Sequence, residues 1–178
     1  MKAQFWSIDL VFAIIIFTAA MFLLSLVWLS VNNQFSIAYG YGIGAMQSQL
    51  GSLMQRLQTP GSPSNWNDAI SENDVSTWGN VSVGLAAGNG SIISQQKLLD
   101  AVAMSATDYQ GSKRALGIGY DYYISIYSPY EYNVSFGLNP AGRNPTAIQV
   151  ASVPVTLGNG EIAIMRAIIW TNTSFGVG

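Results

Sequence analysis

The chain has 178 residues, of which only 9% are charged, and its formal net charge is −2. It contains no histidine and no cysteine, which excludes disulfide bonds, thiol nucleophiles, zinc sites built on those residues and any histidine-based catalytic triad. The small net charge and the lack of a basic cluster argue against nucleic acid as a main partner.

The first predicted element is an apolar helix over Leu10–Val31, a stretch without a charged residue. A helix of this length can cross the roughly 30 Å hydrocarbon core of a bilayer. A secretory signal peptide has a shorter apolar region, of about 7–15 residues, and ends at a small-residue cleavage site. Here the apolar run continues past Ala20 without such a site. We therefore expect the segment to be retained in the mature protein.

Asp9 is the acidic residue that immediately precedes the apolar run. It has two interpretations. It could lie among lipid headgroups, or it could pair with the α-amino group of a neighbouring chain in a bundle of identical helices, because an unpaired charge in an apolar core is costly. In such a bundle we expect helix contacts from Phe12, Ile16, Leu23 and Leu26.

The helical pattern continues beyond the apolar run, and the sequence predicts one helix from about Phe5 to about Gln58. In its second half the apolar residues follow helical spacing and form a one-sided stripe for packing against a head domain. The residues of this stripe are Ile43, Met46, Leu50, Leu53, Met54 and Leu57.

Gly40, Gly42 and Gly44 form a glycine-rich joint, residues 40–44, between the two halves. Each glycine costs about 1 kcal/mol relative to alanine in a helix interior. The joint could separate two helices, or it could melt locally so that subunits pack along a filament. We expect a local disruption of the helix here.

Residues 59–178 are predicted to form the head. Residues 60–79 are rich in carboxylate and amide oxygens, including Asp68, but their spacing does not match a calcium-binding EF-hand. We expect a solvated loop and no metal. A short strand is predicted over Asn80–Ala86, a helix over Gln95–Met104 with Ser94 as its cap, and a second helix over Thr107–Leu116.

The remaining elements are predicted strands. In the first, Tyr122, Ile124 and Ile126 share one face, and Asn133–Leu138 form the second. Ile148–Leu157 and Glu161–Thr171 form a hairpin through a Gly-Asn-Gly turn.

Within this hairpin, Pro154 places the first arm at a sheet edge or a bulge. The second arm is apolar on both faces, which predicts a central strand covered on each side. One cover is expected to be the helical stripe. Arg166, which shares a face with apolar residues of that arm, would then need a carboxylate or carbonyl partner.

The predicted fold is therefore α+β: a long N-terminal hydrophobic helix carries a C-terminal antiparallel β-sheet head with one or two short helices. The N-terminus adds a short basic leader at Met1-Lys2, then Ala3, Gln4, Asp9 and the apolar helix. This arrangement resembles the archaeal type IV pilin-like proteins.

The resemblance implies removal of residues 1–3 by a prepilin peptidase, between Ala3 and Gln4. Residues 4–58 would then form the stalk helix. The acidic residue of that family is usually fifth after the cut, whereas Asp9 would be sixth. The resemblance also implies an assembly ATPase and a membrane platform protein as partners.

Four sequons lie past the apolar helix, at Asn80, Asn89, Asn133 and Asn172. We expect at least one of them to carry an N-glycan, in agreement with an exported head.

Two functions remain open at this stage. The first is a structural, non-enzymatic subunit of a filament at the cell surface, inserted in the membrane before assembly, with adhesion or attachment as its role. A minor or initiating pilin would have almost the same sequence features. The alternative is a monomeric membrane-anchored ectodomain that binds a ligand or partner. No cofactor is expected for either.

Overall fold

The computed structural model describes residues 3–70, 75–88, 92–130 and 132–173, and it describes the side chains of these residues except 3–8, 31–41 and 75. The fold is α+β, with an apolar N-terminal helix and a mixed β-sheet of five strands. The chain divides into two compact units. One unit is Ile43–Ser174, and the other contains the residues up to Gly42.

Helix α1 spans Ala3–Leu57. Its helical backbone continues through Gly40, Gly42 and Gly44, so the expected local disruption is not observed. The reason is that glycine weakens a helix without removing the backbone N–H that each turn requires, unlike proline. The division between the two units nevertheless falls within this stretch, so that Ile43–Leu57 belong to the unit that contains the sheet.

Three further α-helices and one 3₁₀ helix follow within the described residues. They are α2 at Trp66–Ala69, the 3₁₀ helix at Val75–Asn80, α3 at Gln95–Thr107 and α4 at Tyr109–Leu116. The predicted cap of α3 is confirmed, because the Ser94 side chain accepts a hydrogen bond from the Lys97 backbone N–H. Asp108 caps α4 in the same way, through the Gln110 N–H.

The sheet has the strand order β1-β4-β5-β2-β3. Its strands are β1 Ile92–Ile93, β2 Asp121–Tyr127, β3 Asn133–Gly137, β4 Ala147–Leu157 and β5 Ile162–Thr171. The pairs β2–β3, β2–β5 and β4–β5 are antiparallel, which confirms the predicted hairpin. The expectation of a wholly antiparallel sheet is wrong, because the short β1 pairs in parallel with β4.

The strand predicted over Asn80–Ala86 is also absent. This stretch makes only isolated bridges, from Ser82 to Ser62 and from Ala86 to Ile93. Its backbone instead hydrogen-bonds to the end of α1, where the Leu85 N–H donates to the Leu57 carbonyl oxygen at 2.9 Å. These residues are held by the loop after α1, so they do not join the sheet.

One face of the sheet is buried. Ala163, Met165, Ala167 and Ile169 of β5 are at most 1% exposed. The neighbouring strands bury Tyr122, Ile124, Ile126, Phe136, Val155 and Leu157. Side chains of α3 and α4 line a small gap together with Tyr122 and Phe136, so these two helices lie on this face.

On the other face Trp170 is 1% exposed, but the rest of β5 contradicts the expectation that the strand is covered on both sides. Ile162 of β5 is 68% exposed, and Arg166 is exposed as well. The sequence predicted a covered Arg166 with a carboxylate or carbonyl partner. This prediction is wrong, because Arg166 is exposed. Pro154 lies on the part of β4 that has no neighbour on its outer side, since β1 pairs only with Thr156 and Leu157.

Candidate assembly and interaction surfaces

The apolar segment of α1, Asp9–Ser30, is long and apolar enough to span a membrane or to serve as a signal sequence. None of its side chains is buried, and its large apolar side chains are between 47% and 72% exposed. The four residues predicted to form helix contacts, Phe12, Ile16, Leu23 and Leu26, all belong to this exposed set. Within the described residues, nothing in the chain covers them.

Two of the three hydroxyl groups of this segment are satisfied by the helix itself. Thr18 Oγ1 donates to the Ile14 carbonyl oxygen at 2.7 Å, and Ser25 Oγ donates to the Met21 carbonyl oxygen at 2.9 Å. Such bonds to the preceding turn leave these two hydroxyl protons without need of an outside acceptor. Between Asp9 and Ser30 at its two ends, the surface that the segment offers to its surroundings is consequently apolar.

The residues of the predicted processing site lie at the start of α1. Ala3 is its first residue, and the side chain of Gln4 lies outside the described residues, as does the leader at Met1-Lys2. Asp9 is exposed. The structure therefore describes an exposed carboxylate at the beginning of the apolar surface, without a partner among the described residues.

The stripe on the second half of α1 is largely buried. Met46, Leu50, Leu53 and Leu57 are at most 5% exposed, as is Met54, but Ile43 is 37% exposed. Ile43 therefore does not share the packing role expected for it, because it lies one turn before the first fully buried residue of the stripe.

Polar contacts hold the same part of α1 to the end of α4 and to the loop before β2. Arg56 Nη1 donates to the Leu116 carbonyl oxygen at 2.5 Å, and the Gly119 N–H donates to Gln49 Oε1 at 3.1 Å. Gly117 has a φ of +64°, and a side chain there would collide with the Arg56 guanidinium. The left-handed φ favours glycine here, and any side chain would require the Arg56 guanidinium to shift.

The uncovered side of the sheet is termed the open sheet face. Its residues are Tyr123, Ser125 and Tyr127 of β2, Ile164, Arg166 and Ile168 of β5, and Ile148, Val150, Ser152 and Pro154 of β4. Ile148 is 44% exposed, Val150 46% and Tyr127 40%. Cross-strand pairing places Arg166 between Ser125 and Ser152. The face thus combines exposed apolar side chains with a single central cation.

A buried ammonium group was not anticipated from the sequence. Lys97 is 7% exposed, and its Nζ donates to the carbonyl oxygens of Pro60, Ser64 and Ala86. Burial lowers the pKa of Lys97, and the nearby Asp68 carboxylate opposes that shift. A signal was present in the sequence, because Lys97 lies one and two helical turns before the buried Ala101 and Met104.

A second polar network links α4 to β2. Tyr109 donates its hydroxyl hydrogen to Asp121 Oδ1 at 3.0 Å and accepts the Tyr122 N–H at 2.9 Å. Lys113 Nζ lies 3.1 Å from the same Asp121 oxygen. Burial raises the pKa of the Tyr109 phenol. These contacts are mutually satisfied, which is typical of a structural network.

The buried hydroxyls of Ser112 and Tyr122 lie 2.7 Å apart, and they do not form a catalytic pair. Burial raises the pKa of the Tyr122 phenol, so it remains protonated and is a poor base. The Ser112 hydroxyl is already engaged, because it donates to the Tyr109 carbonyl oxygen at 2.7 Å. The adjoining gap between α3, α4 and the sheet has no room for a water molecule.

Two shallow surface pockets, of about 200 and 210 Å³, lie outside these networks. The first lies beside Tyr132 and Gly158, and the second lies between the 3₁₀ helix and α4. Among the described residues there is no group of three or more acidic side chains that could hold a metal ion. Glu72 and Asp74 of the predicted solvated loop lie outside the described residues.

Three of the four sequon asparagines are described, and all three are exposed: Asn80, Asn133 and Asn172. Asn80 ends the 3₁₀ helix, which contacts α4. Asn133 begins β3 directly opposite Tyr127 and therefore lies at the margin of the open sheet face. Asn89, with the turn predicted there, lies outside the described residues.

Comparison with known proteins returned no match to a family model, to a curated protein or to a solved structure.

Proposed function

We propose that this protein is a structural subunit of an extracellular filament of the type IV pilus kind. The observation that carries the proposal is the uncovered apolar surface of Asp9–Ser30. An apolar surface of this extent is not stable in water, so it needs lipid or other apolar helices around it. A membrane meets that need before assembly, and a bundle of identical helices meets it afterwards.

The resemblance at the N-terminus supports the second of these environments. Gln4 would begin the mature chain after a prepilin peptidase removes residues 1–3, and an assembly ATPase and a platform protein would extract the subunit from the membrane. Asp9, at the margin of the apolar surface, would pair with the new α-amino group of a neighbouring subunit. That pairing would set the axial stagger between helices, since a charge in an apolar bundle needs a partner.

The unit Ile43–Ser174 would then form the outer shell of the filament. Its few charges and its exposed Tyr127 and Tyr130 suit close contact with neighbouring subunits or with a surface to which the cell attaches. We propose a role in adhesion or surface attachment on this basis. The internally satisfied networks around Tyr109 and Ser112 favour a non-enzymatic role.

A membrane-anchored ectodomain is the second candidate, and the placement of Asp9 one position later than usual in the pilin family favours it. In that case α1 would remain in the bilayer with its leader uncut. A minor pilin would be processed and incorporated like a major one, but it would make up a small share of the filament.

The test is the N-terminal peptide mass of the protein in material sheared from the cell surface. We expect a chain that begins at Gln4 in that fraction. An intact Met1 leader, found only in the membrane pellet, would overturn the filament proposal and support the anchored ectodomain. The molar share of the protein among the sheared subunits separates a major from a minor pilin.

A further inference from the structure

The open sheet face has the composition of a contact surface. Exposed Ile148, Val150 and Tyr127 share this face with the single guanidinium of Arg166. Most soluble surfaces place many charges between such side chains, because exposed contiguous apolar patches favour association. Here the neighbours of Arg166 on both adjoining strands are serines.

Arg166 has no carboxylate partner among the described residues. The ion pairs of the described part of the chain join Lys113 to Asp121 and Arg114 to Asp108. The guanidinium of an arginine is a planar fork that matches a carboxylate in two parallel hydrogen bonds. The open sheet face therefore presents a recognition element for an acidic side chain.

Asp68 supplies the complementary charge. It lies on α2 and is exposed. Within the described residues it makes no ion pair, it accepts one long hydrogen bond, of 3.3 Å, from the Asn67 side chain, and it acts on the Lys97 ammonium only at longer range. Helix α2 contacts α3, and α3 packs on the buried face of the sheet. Asp68 therefore belongs to the part of the unit next to α3, whereas Arg166 belongs to the open sheet face, and no ion pair joins the two within one molecule.

We propose that the open sheet face binds a second copy of this chain, with Arg166 of one copy receiving Asp68 of the next. The two contact surfaces are different, so the interface is heterologous and leaves a free face at each end. Such contacts generate open-ended helical polymers when their rotation does not close a ring. The inference rests on the proposed function and names the contact that would order the heads along the filament.

Charge reversal tests this pairing in the full-length protein in its own cells. Arg166→Glu should reduce the filament yield in the sheared fraction by about tenfold or more, because two like charges would then face each other across the interface. Adding Asp68→Arg should restore most of the yield. Arg143→Glu is the matched control, since Arg143 is exposed on a turn outside the open sheet face and the charge change is identical.

A cysteine pair gives an independent measurement, because the chain contains no cysteine of its own. Ser152→Cys on the open sheet face, combined with Ala69→Cys beside Asp68, should form intermolecular disulfides in oxidised filaments. A ladder of linked subunits is the expected result. Ser152→Cys combined with Gln110→Cys on α4 is the control and should form no ladder.

The outcomes separate this inference from the proposed function. Processed filaments with a normal yield in Arg166→Glu, or without the ladder in the cysteine pair, would overturn the head contact and leave the filament intact. If Arg166→Glu gives a normal yield of filaments that no longer attach to surfaces, the open sheet face binds an external partner. That result would also overturn the head contact. A wild-type chain absent from the sheared fraction would overturn both proposals.

Loss of yield in Arg166→Glu that Asp68→Arg does not restore would overturn the pairing with Asp68, provided that both the single and the double variant are folded, since Asp68→Arg also places a cation near the Lys97 ammonium. Protease resistance of the membrane-inserted precursor provides that check, because it does not depend on assembly.

Discussion

Lys97 and Pro60 are joined by a short hydrogen bond, in which the buried ammonium donates to the proline carbonyl oxygen at 2.7 Å. The same Nζ donates to the Ser64 carbonyl oxygen at 2.6 Å and to the Ala86 carbonyl oxygen at 3.0 Å. All three protons of the ammonium are therefore used. Through them α3 holds the segment that follows α1 and the stretch that the sequence had indicated as a strand.

Lys97→Met is expected to lower the free energy of unfolding by about 2–4 kcal/mol, because it leaves buried carbonyl oxygens without donors. The measurement is chemical denaturation of the full-length protein in detergent. Gln95→Met is the matched control on the same helix, where the side chain is exposed, and it should change the stability by less than about 0.5 kcal/mol. Equal stabilities of the two variants would contradict the role given to Lys97.

Tyr109 should make the protein sensitive to alkaline pH. Its pKa is raised above the ordinary value of 10.0, first by burial and then by the nearby Asp121. Above pH 10 the unfolded chain therefore loses this proton while the folded chain keeps it. The contribution of Tyr109 to stability is fully present below the ordinary pKa and decreases as the pH rises above it. The pKa of Lys97 is lowered, so the contribution of Lys97 to stability changes in the opposite direction and increases as the pH rises.

Tyr109→Phe isolates this contribution, because Lys97 is common to both proteins. At neutral pH the variant should be less stable by about 1–3 kcal/mol, since the Tyr122 N–H loses its acceptor. The difference in the free energy of unfolding between the wild-type protein and Tyr109→Phe should become smaller as the pH rises past the ordinary tyrosine pKa. Urea denaturation over a pH series measures it. A difference that stays constant with pH would contradict the raised pKa of Tyr109.

The stripe of α1 offers a paired test of packing. Leu53 is 1% exposed, whereas Ile43 is 37% exposed. Leu53→Ala should therefore cost about 2–5 kcal/mol through lost burial and the cavity that remains. Ile43→Ala removes a similar volume from a partly exposed site and should cost less than about 1 kcal/mol. Similar losses in the two variants would show that Ile43 is buried in the assembled or membrane-inserted protein.

The structural surroundings of the described sequons predict which of their asparagines carries a glycan. Asn80 is exposed beside α4, away from the open sheet face, whereas Asn133 lies at the margin of that face. A glycan at Asn133 would interfere with a neighbouring subunit, so we expect Asn80 to be modified and Asn133 to be free in assembled filaments. Peptide mass spectrometry of sheared material measures both. Unmodified masses at all four sequons would remove the expectation of glycosylation, and full occupancy at Asn133 would contradict the head contact.

Local patterns predicted much of the fold. The alternation of Tyr122, Ile124 and Ile126 was sufficient to place β2 and its buried face, and Ser94 marked the start of α3. The Gly-Asn-Gly turn between β4 and β5 predicted their hairpin. Each of these signals depends on neighbours close along the chain, which is why the sequence carries it.

The wrong predictions concern segments whose backbone hydrogen bonds go to residues far away in the sequence. Asn80–Ala86 alternates like a strand, but the loop after α1 and the Lys97 ammonium take up its hydrogen-bonding groups. The short β1 could not be recognised from two residues, and its parallel pairing with β4 depends on the whole sheet.

The sequence by itself determined that this chain carries an uncharged helix able to span a membrane, because hydrophobicity and length are properties of one continuous segment. It also excluded chemistry that depends on histidine or cysteine. The exposure of Arg166 was decided by the tertiary structure alone, and so were the three carbonyl partners of the buried Lys97 ammonium. Whether a charge meets water or protein depends on which elements cover its face, and those elements lie far from it in the chain.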